Sequence, residues 1–185
     1  LTPSTVVIAR WWPVTFDRLA PDTDSRGAGR WRGGAGLESV LRAENAGGVR
    51  LSYIADRGEE GPGGPRGLFG GKDGIPIRVA KNVGTDREED LPIYFADEFV
   101  GRHGNFYHVS SGGGGYGDPL DREPEAVLED VLDRYVSIQS ALSDYGVVIE
   151  VRDADLLDFV IDAEATRDLR AEMRAARMNT GEKLP

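Results

Sequence analysis

Ser110-Ser111-Gly112-Gly113-Gly114-Gly115-Tyr116-Gly117-Asp118-Pro119 divides the chain: strand and turn signals precede it, and helical periodicity follows. Four consecutive glycines bring no side chain to a core and cost more chain entropy than any other tetrapeptide. A folded protein keeps such a run where backbone must pass very close to something. That neighbour is a ligand, another subunit or the protein's own sheet.

Downstream, Pro124 suits a first helical turn, and Val127, Leu128, Val131, Leu132 and Tyr135 fall on one face at three- and four-residue spacings. Glu129, Asp130 and Asp133 are expected on the solvated face. Ser137 is expected to cap a second helix ending at Tyr145-Gly146, followed by a strand over 147–151. Asp162 is expected to cap a last helix over 163–177, rich in good helix formers, with a frayed end over 178–185.

Upstream, Val6 to Ile8 and Pro13 to Phe16 have the β-branched and aromatic content of strands. Asp22 to Gly36 is too glycine-rich for a regular element and holds Arg26, Arg30 and Arg32. Residues 37–42 and 49–54 alternate apolar and polar around the turn signal Asn45-Ala46-Gly47-Gly48, which predicts a hairpin. Gly58 to Gly74 reads as a long ordered loop anchored by Leu68-Phe69. Strands are expected again at 75–79, 91–95 and 106–109. The fold class is α+β: a mostly antiparallel β domain with Gly-rich loops over 1–118, then an α-helical region with a short strand over 119–185.

The formal net charge of -10 argues against nucleic acid or an anionic membrane as partner, because phosphate binding needs clustered cations. Zero cysteines exclude disulfides, thiolate catalysis and thiolate-ligated metals, and fit a reducing cytoplasm. No apolar run approaches the roughly 20 residues of a membrane span. A chain beginning at Leu1, with a strand already under way, is expected to be a piece of a longer polypeptide.

His103 and His108 lie five residues apart, on different faces of either a strand or a helix, so a shared metal is disfavoured and a structural or surface role is expected. Asp22 and Asp24 stand beside Arg26, Arg30 and Arg32 in an irregular segment, where a charge-assisted network would hold the loop. Gly70-Gly71-Lys72 is followed by Asp73 where a phosphate loop needs a hydroxyl, and Gly27-Ala28-Gly29-Arg30 breaks a dinucleotide fingerprint. Nucleotide binding by this chain alone is not expected. The positions nearest any ligand or interface are Asp24, Arg30, Arg32, the backbone of Gly112, Gly113, Gly114 and Gly115, Tyr116 and Asp118. None is assigned a catalytic or metal-binding role.

Three motifs in order resemble the B-type subunits of hydantoinases and 5-oxoprolinases, a family that includes related subunits of acetone and acetophenone carboxylases. They are the run Asp24 to Gly36, the run Gly67-Leu68-Phe69-Gly70-Gly71-Lys72-Asp73-Gly74, and Gly112 to Pro119 with the helical pair after it. Arg26 stands where the family usually has glycine, and Ser110-Ser111 where Thr-Pro is common.

The resemblance implies the carboxyl-terminal part of a B-type subunit. It acts in an ATP-dependent complex that opens a cyclic amide such as a hydantoin or 5-oxoproline, or else carboxylates an activated ketone. It implies as partners a nucleotide-binding A-type subunit and the rest of the B-type part. ATP, Mg and a catalytic divalent metal are then expected elsewhere in the complex, and no cofactor on this chain alone. A non-catalytic assembly role is the third reading.

Overall fold

The computed structural model describes residues 12–56, 58 and 63–180. The strand expected at Val6 to Ile8 lies outside them, as does the end beyond Thr180. The chain forms two compact units: Leu1–Asp22 with Gly36–Gly64 and Pro76–Ser111, and Thr23–Ala35 with Pro65–Ile75 and Gly112–Pro185.

The strands of the first unit pair antiparallel, with one isolated parallel bridge between Gly58 and Ile77. A five-stranded sheet runs β1 (Val14–Pro21), β2 (Leu37–Ala43), β7 (Asn105–Val109), β4 (Arg78–Lys81) and β5 (Glu89–Leu91), in that spatial order. A second sheet pairs β3 (Val49–Ile54) with β6 (Tyr94–Val100). The strand-period alternation of β3 turns Val49, Leu51 and Tyr53 to one face. The Tyr53 ring stacks on Phe95 at 5.9 Å and reaches Phe106 and His108 of β7 at 6.0 and 5.3 Å. His108 is thus partly buried among rings, and burial lowers its pKa from the ordinary histidine value. The core of this unit holds Ala43, Val79, Ala80, Val100, Phe106 and Val109.

The predicted hairpin between residues 37–42 and 49–54 does not form. Both strands exist, but β2 pairs with β1 and β7 on its two edges, so β3 has no free edge to join. The turn chemistry between them is present: the Gly48 N–H donates to the Asn45 carbonyl at 2.9 Å, and Gly48 takes φ 73°. That turn redirects the chain into the second sheet. Leu68 and Phe69 are 56% and 68% exposed, so their loop is held by the backbone of Leu68 and by the ring contact of Phe69 with Tyr116 rather than by burial of the pair.

The second unit carries the helices α1 (Pro124–Leu132), α2 (Ile138–Tyr145) and α3 (Ala163–Thr180), and a hairpin of β8 (Ile149–Asp153) with β9 (Asp158–Ile161). The sequence signals for the ends hold. Ser137 Oγ accepts from Ser140 N at 3.0 Å, Asp162 Oδ1 accepts from Ala165 N at 2.9 Å, and Gly146 closes α2 at φ 60°. Helix α3 continues through Met178 to Thr180 rather than fraying there. Val127 and Val131 of α1 bury against Ala28, Val136, Ala141, Tyr145 and Val147, with Ile149, Phe159 and Ile161 packed beside them. One residue departs from the expected polar face: Asp130 is 4% exposed.

Candidate functional site

The three glycine-rich segments of the second unit lie against one another backbone to backbone. The Gly27 N–H donates to the Gly113 carbonyl and the Gly113 N–H to that of Gly34, both at 2.8 Å. Lys72 N donates to the Ala28 carbonyl at 2.7 Å, and Gly115 N to the Lys72 carbonyl at 2.9 Å. Leu68 N donates to Gly115, and Trp31 and Tyr116 exchange both of their backbone hydrogen bonds at 3.0 and 2.8 Å. Residues 25–34, 66–75 and 112–117 therefore satisfy one another's peptide groups without forming a helix or a long strand.

This arrangement explains the glycine run. A Cβ on Gly112 would overlap the Ser25 carbonyl, one on Gly114 the Arg66 carbonyl, and one on Gly115 the Ala28 carbonyl. The close neighbour that the tetraglycine needs is the protein's own backbone, in two other glycine-rich segments.

The remaining sequence-chosen positions divide into three groups. Asp24, held at φ 60°, accepts from the Ser137 N–H at 2.8 Å through Oδ1 and donates its own N–H to the Tyr135 carbonyl at 3.2 Å. It ties the first glycine segment to the connection between α1 and α2. Arg32 also points inward, with Nε on Asp130 Oδ1 at 2.7 Å and its guanidinium 5.0 Å from the Tyr135 ring centre. Arg30 and Tyr116 are on the surface: Arg30 lies 5.9 Å from its neighbour Trp31's ring, and the Tyr116 ring meets Phe69 at 5.1 Å. Asp118 caps a 3-10 turn over Pro119–Asp121, accepting from Leu120 N and from Arg177 Nη1, each at 2.9 Å.

Sequence reasoning misplaced the most buried charges. Asp130 takes Arg32 on one oxygen and Arg122 Nη2 on the other, both at 2.7 Å. Arg26, expected with Arg30 and Arg32 in a charge-assisted network beside Asp22 and Asp24, is 6% exposed, with its guanidinium 4.4 Å from the Tyr135 ring centre. Burial first, and then the Arg32 charge, lower its pKa. Tyr145, 1% exposed, has its hydroxyl pKa pushed up to about 12, chiefly by burial. A polar residue directly beside a core valine, as Asp130 is beside Val131, is the one local signal of this cluster. Of the partners of Asp130, Arg122 lies 8 residues away and Arg32 98.

Among the described residues no group of three or more His, Asp and Glu is placed to hold a metal ion, and no helix is long and apolar enough to cross a membrane. The described residues thus offer no donor set for the divalent metal that the sequence resemblance implies for such complexes.

Residues 6–119 match the family model described as Hydantoinase B/oxoprolinase. The chain is 31% identical to the B-type chain of a putative D-/L-hydantoinase of Pseudomonas sp. (strain NS671), over 86% of this chain and 25% of that protein. It is 35% identical to the beta chain of the caprolactamase of Pseudomonas jessenii, over 75% of this chain and 24% of that one. It is 31% identical to the acetophenone carboxylase delta subunit of Aromatoleum aromaticum, over 97% and 29% respectively. The chain thus spans roughly a quarter of the length of these relatives. Among solved structures, an ATP-dependent caprolactamase from Pseudomonas jessenii superposes with a TM-score of 0.77 at 30% identity, covering 92% of this chain and 28% of that one. An acetone carboxylase in a nucleotide-free state shares the fold, with a TM-score of 0.79 at 24% identity, covering 99% of this chain and 27% of that one.

Proposed function

Since the chain belongs to the hydantoinase B/oxoprolinase family, we propose that it is a portion of the B-type subunit of an ATP-dependent cyclic-amide hydrolase. Its partners in this reading are a nucleotide-binding A-type subunit and the remainder of the B-type part, in the cytoplasm. The observation that carries it is the joint likeness to a hydantoinase chain and to a caprolactamase, in sequence and in fold.

Within that complex the share of this chain is to scaffold rather than to react. Asp24, Arg32 and Asp118 each hold a backbone or ionic contact, and Gly112 to Gly115 give up their side chains to close packing. ATP, Mg and the divalent metal belong to other parts of the complex in this reading, and no step is assigned to a metal here. Carboxylation of a ketone is the second reading, favoured by the likeness to the acetophenone carboxylase delta subunit along 97% of the chain.

The test is to purify the chain with its companions and supply ATP with hydantoin, 5-oxoproline or caprolactam, and separately with labelled bicarbonate and acetone or acetophenone. Release of the ring-opened product with ADP supports the hydrolase. Label fixed into the ketone, with no ring opening, supports the carboxylase. Turnover by this chain without companions would overturn the scaffolding share.

A further inference from the structure

The buried polar side-chain atoms that find no protein hydrogen-bond partner among the described residues are Arg26 Nε, Nη1 and Nη2, Arg122 Nε and the Tyr145 hydroxyl. They belong to one neighbourhood. Arg122 and Arg32 share Asp130, Arg26 and Arg32 both lie over the Tyr135 ring at 4.4 and 5.0 Å, and Tyr145 is buried in the same cluster as Val127 and Val131, the neighbour of Asp130. Arg26 itself is 6% exposed, and its guanidinium rests on Tyr135, a contact that steadies a cation but accepts no hydrogen bond.

The charge does not balance. Among the described residues, Asp130 is the carboxylate hydrogen-bonded to these guanidiniums, one on each oxygen, while Asp144, the other carboxylate near Tyr145, is bonded to Lys72 and Ser140. An arginine does not shed its proton in a protein, so burial cannot neutralise Arg26. An uncompensated buried cation is strongly disfavoured unless a partner supplies negative charge and acceptors together. Water can bridge these donors, since the Tyr145 hydroxyl oxygen and the remaining lone pairs of Asp130 accept, but it brings no negative charge to the cluster. A small anion only accepts, and every orphan atom here can donate.

We propose that Arg26, Arg122 and Tyr145 form a buried binding site for a small monovalent inorganic anion of the halide type, with Arg32 and Asp130 fixing the surrounding guanidiniums. The site is structural: it lets a charged residue occupy a position beside the glycine segments.

Two measurements on the chain in its purified assembly test this. Crystals soaked in sodium bromide, with data collected at the bromine edge, should show an anomalous peak within hydrogen-bonding range of the Arg26 guanidinium and the Tyr145 hydroxyl. Ordered water without a peak, or a carboxylate of a companion chain in that place, overturns the proposal. In solution, the melting temperature should rise more in millimolar chloride or bromide than in gluconate at equal ionic strength, and Arg26→Met should abolish that halide-specific rise. An equal rise in Arg26→Met, or none in the unmodified chain, overturns it. Should Arg26→Met fail to fold, the anomalous map of the unmodified chain decides alone.

Discussion

Gly33 and Gly113 stand so close that a Cβ on Gly33 would overlap the Gly113 carbonyl oxygen, whereas a Cβ on the adjacent Gly34 would meet nothing within 4 Å. The obstacle at Gly33 is backbone, itself hydrogen-bonded, with Gly27 N donating to that same Gly113 carbonyl at 2.8 Å. Overpacking of this kind costs about 1–3 kcal/mol, more where the neighbour cannot yield. Gly33→Ala is therefore expected to lower unfolding free energy by about 3 kcal/mol or to prevent folding. Gly34→Ala should stay within about 0.5 kcal/mol of the parent. Urea unfolding of the two variants side by side checks the contrast, and equal effects would remove the close-packed reading.

Asp24 separates scaffolding from ligand binding. Its Oδ1 accepts from the Ser137 N–H, and its φ of 60° suits Asp or Asn better than other side chains. Asp24→Ala should cost about 1–2 kcal/mol through the lost acceptor and the strained backbone. Asp24→Asn keeps both and should match the parent in melting temperature and in activity of the assembled complex. A fall in activity for Asp24→Asn at unchanged melting temperature would instead assign its charge to a ligand.

Tyr145 makes stability depend on alkaline pH. Its folded pKa is raised to about 12 by burial, above the unfolded value near 10, so the fold favours the protonated phenol. The stability tied to that proton is fully present below about pH 10 and is lost as pH climbs toward 12, a span on the order of 2 kcal/mol. Tyr53 and Tyr107 are raised by burial as well, so the parent alone does not isolate the effect. The difference in slope between the parent and Tyr145→Phe, in urea unfolding from about pH 8 to 11.5, does. Identical slopes would show that Tyr145 ionises freely.

Much of the fold was legible because its signals are local. Ser137, Gly146 and Asp162 end helices by chemistry contained within a few residues, and the apolar spacing of Val127 and Val131 is a property of α1 alone. Partner choice is not local, and that is where the reading failed. Alternation and the Asn45–Gly48 turn define two strands but do not say that β2 would have both edges occupied. Likewise Asp130 sits among acidic neighbours like any solvated carboxylate, and its role depends on Arg32, 98 residues away. For the glycine run a physical clue was available: a bare backbone needs another backbone to pack against, and the chain carries two further glycine-rich segments. Gly33, Gly71 and Gly74 are blocked in turn by the backbone of Gly113, Gly115 and Gly112.

The interlocked glycines also shape how the gene is able to vary. Every glycine codon begins with the same two bases, and a change in either replaces hydrogen with a side chain, a larger group or a stop. At Gly112, Gly114 and Gly115, and at their counterparts Gly27 and Gly33, the added atoms meet carbonyl groups of the main chain, which no rotamer change can move. Compensation by a second substitution is blocked too, because the obstacle is a main-chain carbonyl, which no change of side chain removes. At these positions single-base change is confined to the silent third position, so they are expected to drift among synonymous codons, whereas Gly34 is free to vary.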